Sequence, residues 1–156
     1  MMMRTRSLQA SLAALVIGVA LALPGGPAAG QSDDRTVVPI DKLEWKPAPP
    51  LLPGVQVAVV YGNPGKEGPF VMRLKFPAGF DYPVHHHPGT HGHLTVISGA
   101  FGIGHGEKFD RNAAPLLPAG SFFVMPSTPH FGWTDRETII QVNGNGPWRV
   151  EFLKQD

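Results

Sequence analysis

The sequence contains no cysteine and few charged residues. Without cysteine, neither a disulfide bond nor the lipid-modified cysteine of a bacterial lipoprotein is possible in this chain. Only 16% of its 156 residues are charged, and the 13 basic side chains nearly balance the 12 acidic ones. This balance leaves no basic patch of the kind that nucleic acid requires, so we expect no nucleic-acid partner.

Long helices are also missing from the pattern. No window of ten or more residues shows convincing helical periodicity free of proline and glycine, of which the chain has 17 and 19. Instead, short apolar runs alternate with turn residues, at 55–61, 69–76, 93–98, 100–104, 121–125, 137–142 and 148–153. Regularly spaced short strands of this kind predict an all-β sandwich or barrel.

The clearest strand is 69–76, in which apolar and polar positions alternate. Phe70, Met72, Leu74 and Phe76 share one parity, and Arg73 and Lys75 lie on the other. A period of two predicts a strand with one buried face. We also expect core phenylalanines inside the barrel, namely Phe101, Phe122, Phe123 and Phe131.

Residues 1–30 have the layout of a cleavable signal peptide. Arg4 and Arg6 precede an uncharged apolar run at 8–23, and helix breakers and small residues follow it. A retained membrane anchor is the alternative, but the run is shorter than the ~20 residues that span a bilayer. We therefore expect cleavage after Ala29 or Gly30, a periplasmic or secreted protein, and no stable membrane insertion afterwards.

The rest of the chain divides into an arm and one domain. Residues 31–54 are a proline-rich arm, and 55–156 are long enough for a single hydrophobic core. Removal of residues 1–30 takes away two arginines and no acidic residue, which leaves 11 basic and 12 acidic residues and a formal charge of −1.

Five of the seven histidines lie within nine residues. They are His85, His86, His87, His91 and His93. In a strand, His85 and His87 face the same side, so that two imidazoles are available to one metal ion. An adventitious surface cluster is the alternative. We expect one divalent transition metal ion, with Fe, Zn, Ni or Cu as candidates.

Two histidine-containing motifs resemble those of the cupin superfamily. The first reads Gly79, five residues, His85-His86-His87 and, later, Gly99; the second reads Gly120, five residues, Pro126 and then His130. Over roughly residues 55–153 the chain resembles small bacterial cupins of unassigned function. This resemblance implies a single-domain cupin-type β-barrel (a double-stranded β-helix or jelly roll), His130 as a further ligand and a possible homodimer.

The first motif departs from the cupin pattern at its glutamate ligand. The glutamate position falls on Gly92, which has no side chain to offer, and His91 and His93 flank it. We favour His85, His87, His91 and His130 as the ligand set, with His93 as the alternative to His91. Strand parity argues against both, because inward Leu94 and Val96 would turn His91 and His93 outward unless a bulge intervenes. Asp81 or Tyr82 is a candidate to accept a hydrogen bond from the N–H of a metal-binding imidazole.

The sequence leaves three functions open. A histidine-bound metal in an aromatic-lined barrel favours a metal-dependent enzyme of the oxygenase type that acts on a small organic molecule; hydrolysis or isomerisation is a variant. A non-catalytic protein that binds or senses a metal or small ligand is the alternative. A structural role, in which the barrel serves as a dimer scaffold, leaves the histidines unexplained.

Overall fold

The computed structural model describes residues 37–125 and 127–154. The expected signal peptide, 1–30, and the first residues of the arm, 31–36, lie outside them. Within the described ranges, no helix has the length and apolar character needed to cross a membrane.

The described chain consists of short strands and two single-turn 3-10 helices, at Ile40–Lys42 and Arg111–Ala113. In chain order, the strands are β1 (Lys46–Pro47), β2 (Gln56–Tyr61), β3 (Gly68–Phe76), β4 (Asp81–His86), β5 (Gly92–Ser98), β6 (Ala100–His105), β7 (Leu116–Pro118), β8 (Phe122–Met125), β9 (His130–Thr134), β10 (Thr138–Gly146) and β11 (Glu151–Phe152).

Two antiparallel sheets make up the barrel, as the sequence predicts. One has the strand order β1-β2-β3-β10-β5-β8 and the other β11-β4-β9-β6-β7. Partners distant in sequence pair in both sheets, as when β10 lies between β3 and β5. The all-β prediction is therefore confirmed.

The main core lies between the sheets. On β3 the predicted alternation is confirmed, because Phe70, Met72, Leu74 and Phe76 are all buried. Phe76 contacts Phe101 of the opposite sheet, with ring centroids 5.4 Å apart. Burial of one such ring contributes about 1.5–3 kcal/mol, so this cross-barrel packing is a large part of what holds the two sheets together.

A second, smaller core covers the other face of the five-stranded sheet. Phe131 packs there with Val84 and Ala114. Gly104 leaves room for the Phe131 ring, which a Cβ at that position would overlap. The expectation for Phe131 is therefore corrected, since it lies outside the barrel interior. Phe122 is also corrected, because it is 60% exposed on the edge strand β8.

The C-terminal end of the proline-rich arm packs onto the barrel. β1 pairs with β2, and the Ala48 amide donates to the Val55 carbonyl at 2.9 Å. Leu52 and Val55 are both buried in the main core. The arm therefore contributes to the wall near the histidines.

Candidate metal centre

Three histidines from two adjacent strands meet inside the barrel. His85 lies on β4, His87 follows that strand directly, and His130 is the first residue of β9, in register with His85. Their relative exposures are only 1%, 2% and 0%. One possible ligand atom from each lies within 4.8 Å of the others, which makes this the candidate metal group of the described residues.

An irregularity in β4 adds an aromatic ring to this cluster. Tyr82 pairs with Gly132 and His85 pairs with His130, so three steps on β4 match two on β9. This extra residue is a β-bulge, which places Tyr82 and His85 on the same face. Their rings stack with centroids 4.0 Å apart. The bulge thus makes Tyr82 a wall of the site.

Backbone carbonyls orient all three imidazoles. The Nδ1 atoms of His85, His87 and His130 lie 2.6, 2.7 and 2.8 Å from the carbonyl oxygens of Pro83, Arg149 and Thr128. A carbonyl only accepts, so each Nδ1 carries the proton and each Nε2 keeps its lone pair. Metal-binding histidines commonly have this arrangement.

Two of the lone pairs have no partner. The Nε2 atoms of His85 and His130 are buried and make no hydrogen bond to any described residue. An unsatisfied buried polar atom costs about 1–3 kcal/mol, which a bound cation would remove. The donor set therefore fits a transition metal ion that accepts imidazole ligands.

Burial keeps the imidazoles neutral. It is the main reason why the pKa of His85 falls to about 3 and that of His87 to about 4, and the neighbouring imidazoles contribute to both values. Burial also lowers the pKa of His130. The neutral form is the one that binds metal, so these ligands are ready to bind without losing a proton at neutral pH.

The structure brings together three of the four predicted ligands. His91 is exposed and does not belong to the buried group, and the same holds for the alternative, His93. The reason is strand parity: Gly92, Leu94 and Val96 are the buried residues of β5. No bulge redirects the start of this strand, where Gly92 pairs with Met125 and His93 with Val124.

An indole fills the space that the missing glutamate leaves. A Cβ added to Gly92 would lie 2.8 Å from Cη2 of Trp148. The same indole packs on His87, with ring centroids 4.1 Å apart. From the sequence, Trp148 is only the first residue of the last apolar run, 148–153. Gly92 nevertheless indicates that a large side chain lies nearby, since the space beside a buried position without a side chain must be filled by another residue.

Asp81 and Tyr82 do not accept from the imidazoles, which corrects that prediction. Asp81 is exposed and pairs with Arg111 at 2.7 Å, and Tyr82 stacks on His85 instead. The acceptors are main-chain carbonyls, which sequence patterns do not reveal. The three histidines therefore form a set without a carboxylate ligand among the described residues.

An apolar cavity of about 190 Å³ lies against the Tyr82 and Trp148 rings that pack on His85 and His87, and its lining includes none of the three histidines. Tyr82, Trp148 and Phe152 contribute aromatic rings to its wall, and Met72 and Leu74 of β3 lie among the other lining residues. Burial raises the pKa of the Tyr82 hydroxyl far above its usual value, so that it remains a hydrogen-bond donor. The arrangement combines metal ligands with an adjoining space for a small organic molecule.

No protein-family model matches the chain. Among curated proteins, the human 2-aminoethanethiol dioxygenase is 31% identical over 113 residues, which are 70% of this chain and 38% of that protein. The chain thus spans about two fifths of the length of the curated relative it matches.

Solved structures show the same fold at low sequence identity. An RmlC-like cupin protein from Ralstonia eutropha JMP134 is 24% identical, with a TM-score of 0.57 over 76% of this chain and 72% of that one. The polyketide cyclase RemF from Streptomyces resistomycificus is 13% identical, with a TM-score of 0.63 over 77% and 86% of the two chains. These similarities identify the fold and leave the chemistry to the site itself.

Proposed function

Because this chain belongs to the cupin superfamily, we propose that it is a metal-dependent dioxygenase-type enzyme that acts on a small organic molecule. The observation behind the proposal is the convergence of three neutral imidazoles whose Nδ1 atoms are held by backbone carbonyls. The similarity to a human dioxygenase supports the same reaction type.

His85, His87 and His130 would hold the ion through Nε2. With three protein ligands, a bound ion would keep open coordination positions and would supply binding sites for an organic substrate and for dioxygen. The chain's own contribution is to fix the tautomers, to keep the three rings neutral and to exclude water with the Tyr82 and Trp148 rings.

A non-catalytic metal-collecting protein predicts a different arrangement. It requires saturated imidazole ligation or several exposed histidines around further ions. Here His91 and His93 are exposed, but the described residues form no metal-binding group of three or more side chains besides the buried triad. An open three-histidine site favours chemistry over storage.

Metal analysis tests the site before any assay of activity. Wild type and the variants His87→Ala, His130→Ala and His93→Ala are purified without a histidine tag and reloaded with iron or zinc. We expect one equivalent in wild type and in the His93→Ala control, and a loss of at least tenfold in metal affinity in the other two variants. Full loading of His87→Ala and His130→Ala would disprove the site.

Oxygen uptake then tests the reaction. The iron-loaded protein is supplied with 2-aminoethanethiol and with neutral aromatic and diketone compounds in an oxygen-electrode assay. We expect substrate-dependent uptake that His130→Ala abolishes and His93→Ala preserves. Stoichiometric metal with no uptake for any compound would favour the binding-protein alternative.

We also propose export directed by residues 1–30. The charged start, the apolar run and the small residues after it support this proposal. Expression of the full chain in a Gram-negative host, fractionation and N-terminal sequencing test it. A mature protein that begins near Gln31 in the periplasm is expected, and an uncleaved cytoplasmic protein would refute it.

A further inference from the structure

The apolar cavity and the histidine triad share two walls. Tyr82 and Trp148 both line the cavity, and their rings pack on His85 and His87 with centroid separations of 4.0 and 4.1 Å. A molecule in the cavity therefore lies one ring away from the candidate metal ligands. The charge and polarity of the residues that line the cavity therefore limit which molecules can bind there.

The lining contains no charged side chain. Of its ten residues, only Tyr82 and Trp148 carry a side-chain N–H or O–H, and the others are aliphatic, proline, methionine or phenylalanine. The Tyr82 hydroxyl makes no hydrogen bond to any described residue, and it keeps some contact with solvent although Tyr82 as a whole is only 5% exposed. The cavity thus offers donors and apolar surface but no counter-charge for an ionic group.

We infer that this cavity receives the apolar part of the proposed enzyme's substrate, a neutral molecule with one hydrogen-bond acceptor that Tyr82 recognises. This inference rests on the proposed function, because it names the substrate class of the same site. An ammonium or carboxylate group placed here would lose its hydration without an ion-pair partner, which is strongly unfavourable. The inferred class therefore differs from an aminothiol such as 2-aminoethanethiol.

The size of the cavity is consistent with a single ring. Its volume of about 190 Å³ exceeds the roughly 150 Å³ of an engineered apolar protein cavity that binds benzene. A benzene ring with one short polar substituent would fit this volume, and Met72, Leu74 and Tyr82 are among the residues that it would contact.

Three probes of equal shape and different charge test the inference. Benzyl alcohol, benzylamine and benzoate are titrated into the full-length, metal-free chain, and binding is followed through the methionine methyl signals in NMR spectra. Met72 lines the cavity, whereas Met125 is buried elsewhere in the core and serves as an internal control. We expect benzyl alcohol to shift the Met72 signal and the two ions to bind at least about tenfold more weakly.

Variants locate the binding. Ala48 lies at the partly buried rim of the cavity, so Ala48→Phe should fill it and weaken benzyl alcohol binding by about tenfold or more. Val59→Phe places the same ring on the exposed face of β2 and should leave binding unchanged. Tyr82→Phe should weaken benzyl alcohol binding by about two- to tenfold, the value of one hydrogen bond.

The outcomes separate this inference from the proposed function. Tighter binding of benzylamine than of benzyl alcohol, or a Met72 signal that no probe moves, would overturn the neutral substrate class. If metal loading and oxygen uptake with an aminothiol were observed alongside that result, the enzyme proposal would stand alone. Neutral-probe binding in a protein that takes up no metal would instead retain the cavity's ligand class and reject the dioxygenase.

Discussion

Acidification should destabilise the metal-free protein through the three buried histidines. Burial lowers the pKa of His85 to about 3 and that of His87 to about 4, and it lowers that of His130. In the unfolded chain the same side chains titrate near their ordinary value of about 6.5. The unfolded state therefore binds protons first as the pH falls, and the stability that the neutral histidines confer above about pH 6.5 is lost toward the folded pKa values.

The magnitude follows from the separation of the two pKa values. One pKa unit corresponds to about 1.4 kcal/mol. Each histidine that stays neutral in the folded state therefore lowers the free energy of unfolding by about 2 kcal/mol between pH 7 and pH 5. His85 and His87 together give about 4 kcal/mol, a large part of the whole stability of a small domain, and His130 adds to the loss in the same direction.

Urea unfolding of the metal-free protein at a series of pH values measures this loss. In His87→Gln the fall in the free energy of unfolding between pH 7 and 5 should be smaller by about 2 kcal/mol than in wild type. His93→Gln, which alters an exposed histidine, should retain the wild-type pH dependence. Equal slopes in His87→Gln and wild type, or a stability independent of pH in this range, would refute the reasoning.

Three further predictions concern packing and metal. Gly92→Glu should lower the free energy of unfolding by about 1–3 kcal/mol, because the new side chain overlaps Trp148. The additional change Trp148→Ala removes this overlap, so in a thermal double-mutant cycle the combined loss should be smaller than the sum of the two single losses. Additive losses would contradict the proposed overlap. Thr138→Val should lower the free energy of unfolding, measured in urea, by about 1–3 kcal/mol. The reason is that the buried Thr138 hydroxyl donates to the Ala100 carbonyl at 2.9 Å and accepts from the Ala100 amide at 3.2 Å. An unchanged unfolding midpoint would contradict this prediction. Metal at about 100 times its dissociation constant should stabilise wild type by about 2.7 kcal/mol, and a chelator should reverse the effect; the same gain in His130→Ala would show that the metal binds elsewhere.

The strands of this protein could be predicted from local patterns because side-chain alternation and turn residues act over a few positions. The buried face of β3 follows from the period of two in Phe70 to Phe76. The strands β4, β7 and β9 were harder to predict, since β9 is a five-residue segment that contains Gly132 and β7 is only three residues long. Such segments become strands because their neighbours in the sheet pair with them.

The sequence by itself determined the His85-x-His87 pair, because it depends only on strand parity. The choice of His91 as a ligand set aside the same parity, which the structure follows at Gly92, Leu94 and Val96. Tertiary structure alone decided which groups meet those two imidazoles. The Arg149 carbonyl that accepts from His87 is 62 residues away, and Trp148 covers Gly92 from the C-terminal end of the chain. The bulge that sets Tyr82 against His85 likewise depends on pairing with β9. Contacts of this kind arise from long-range packing and main-chain hydrogen bonds, which leave no periodic signal in the sequence.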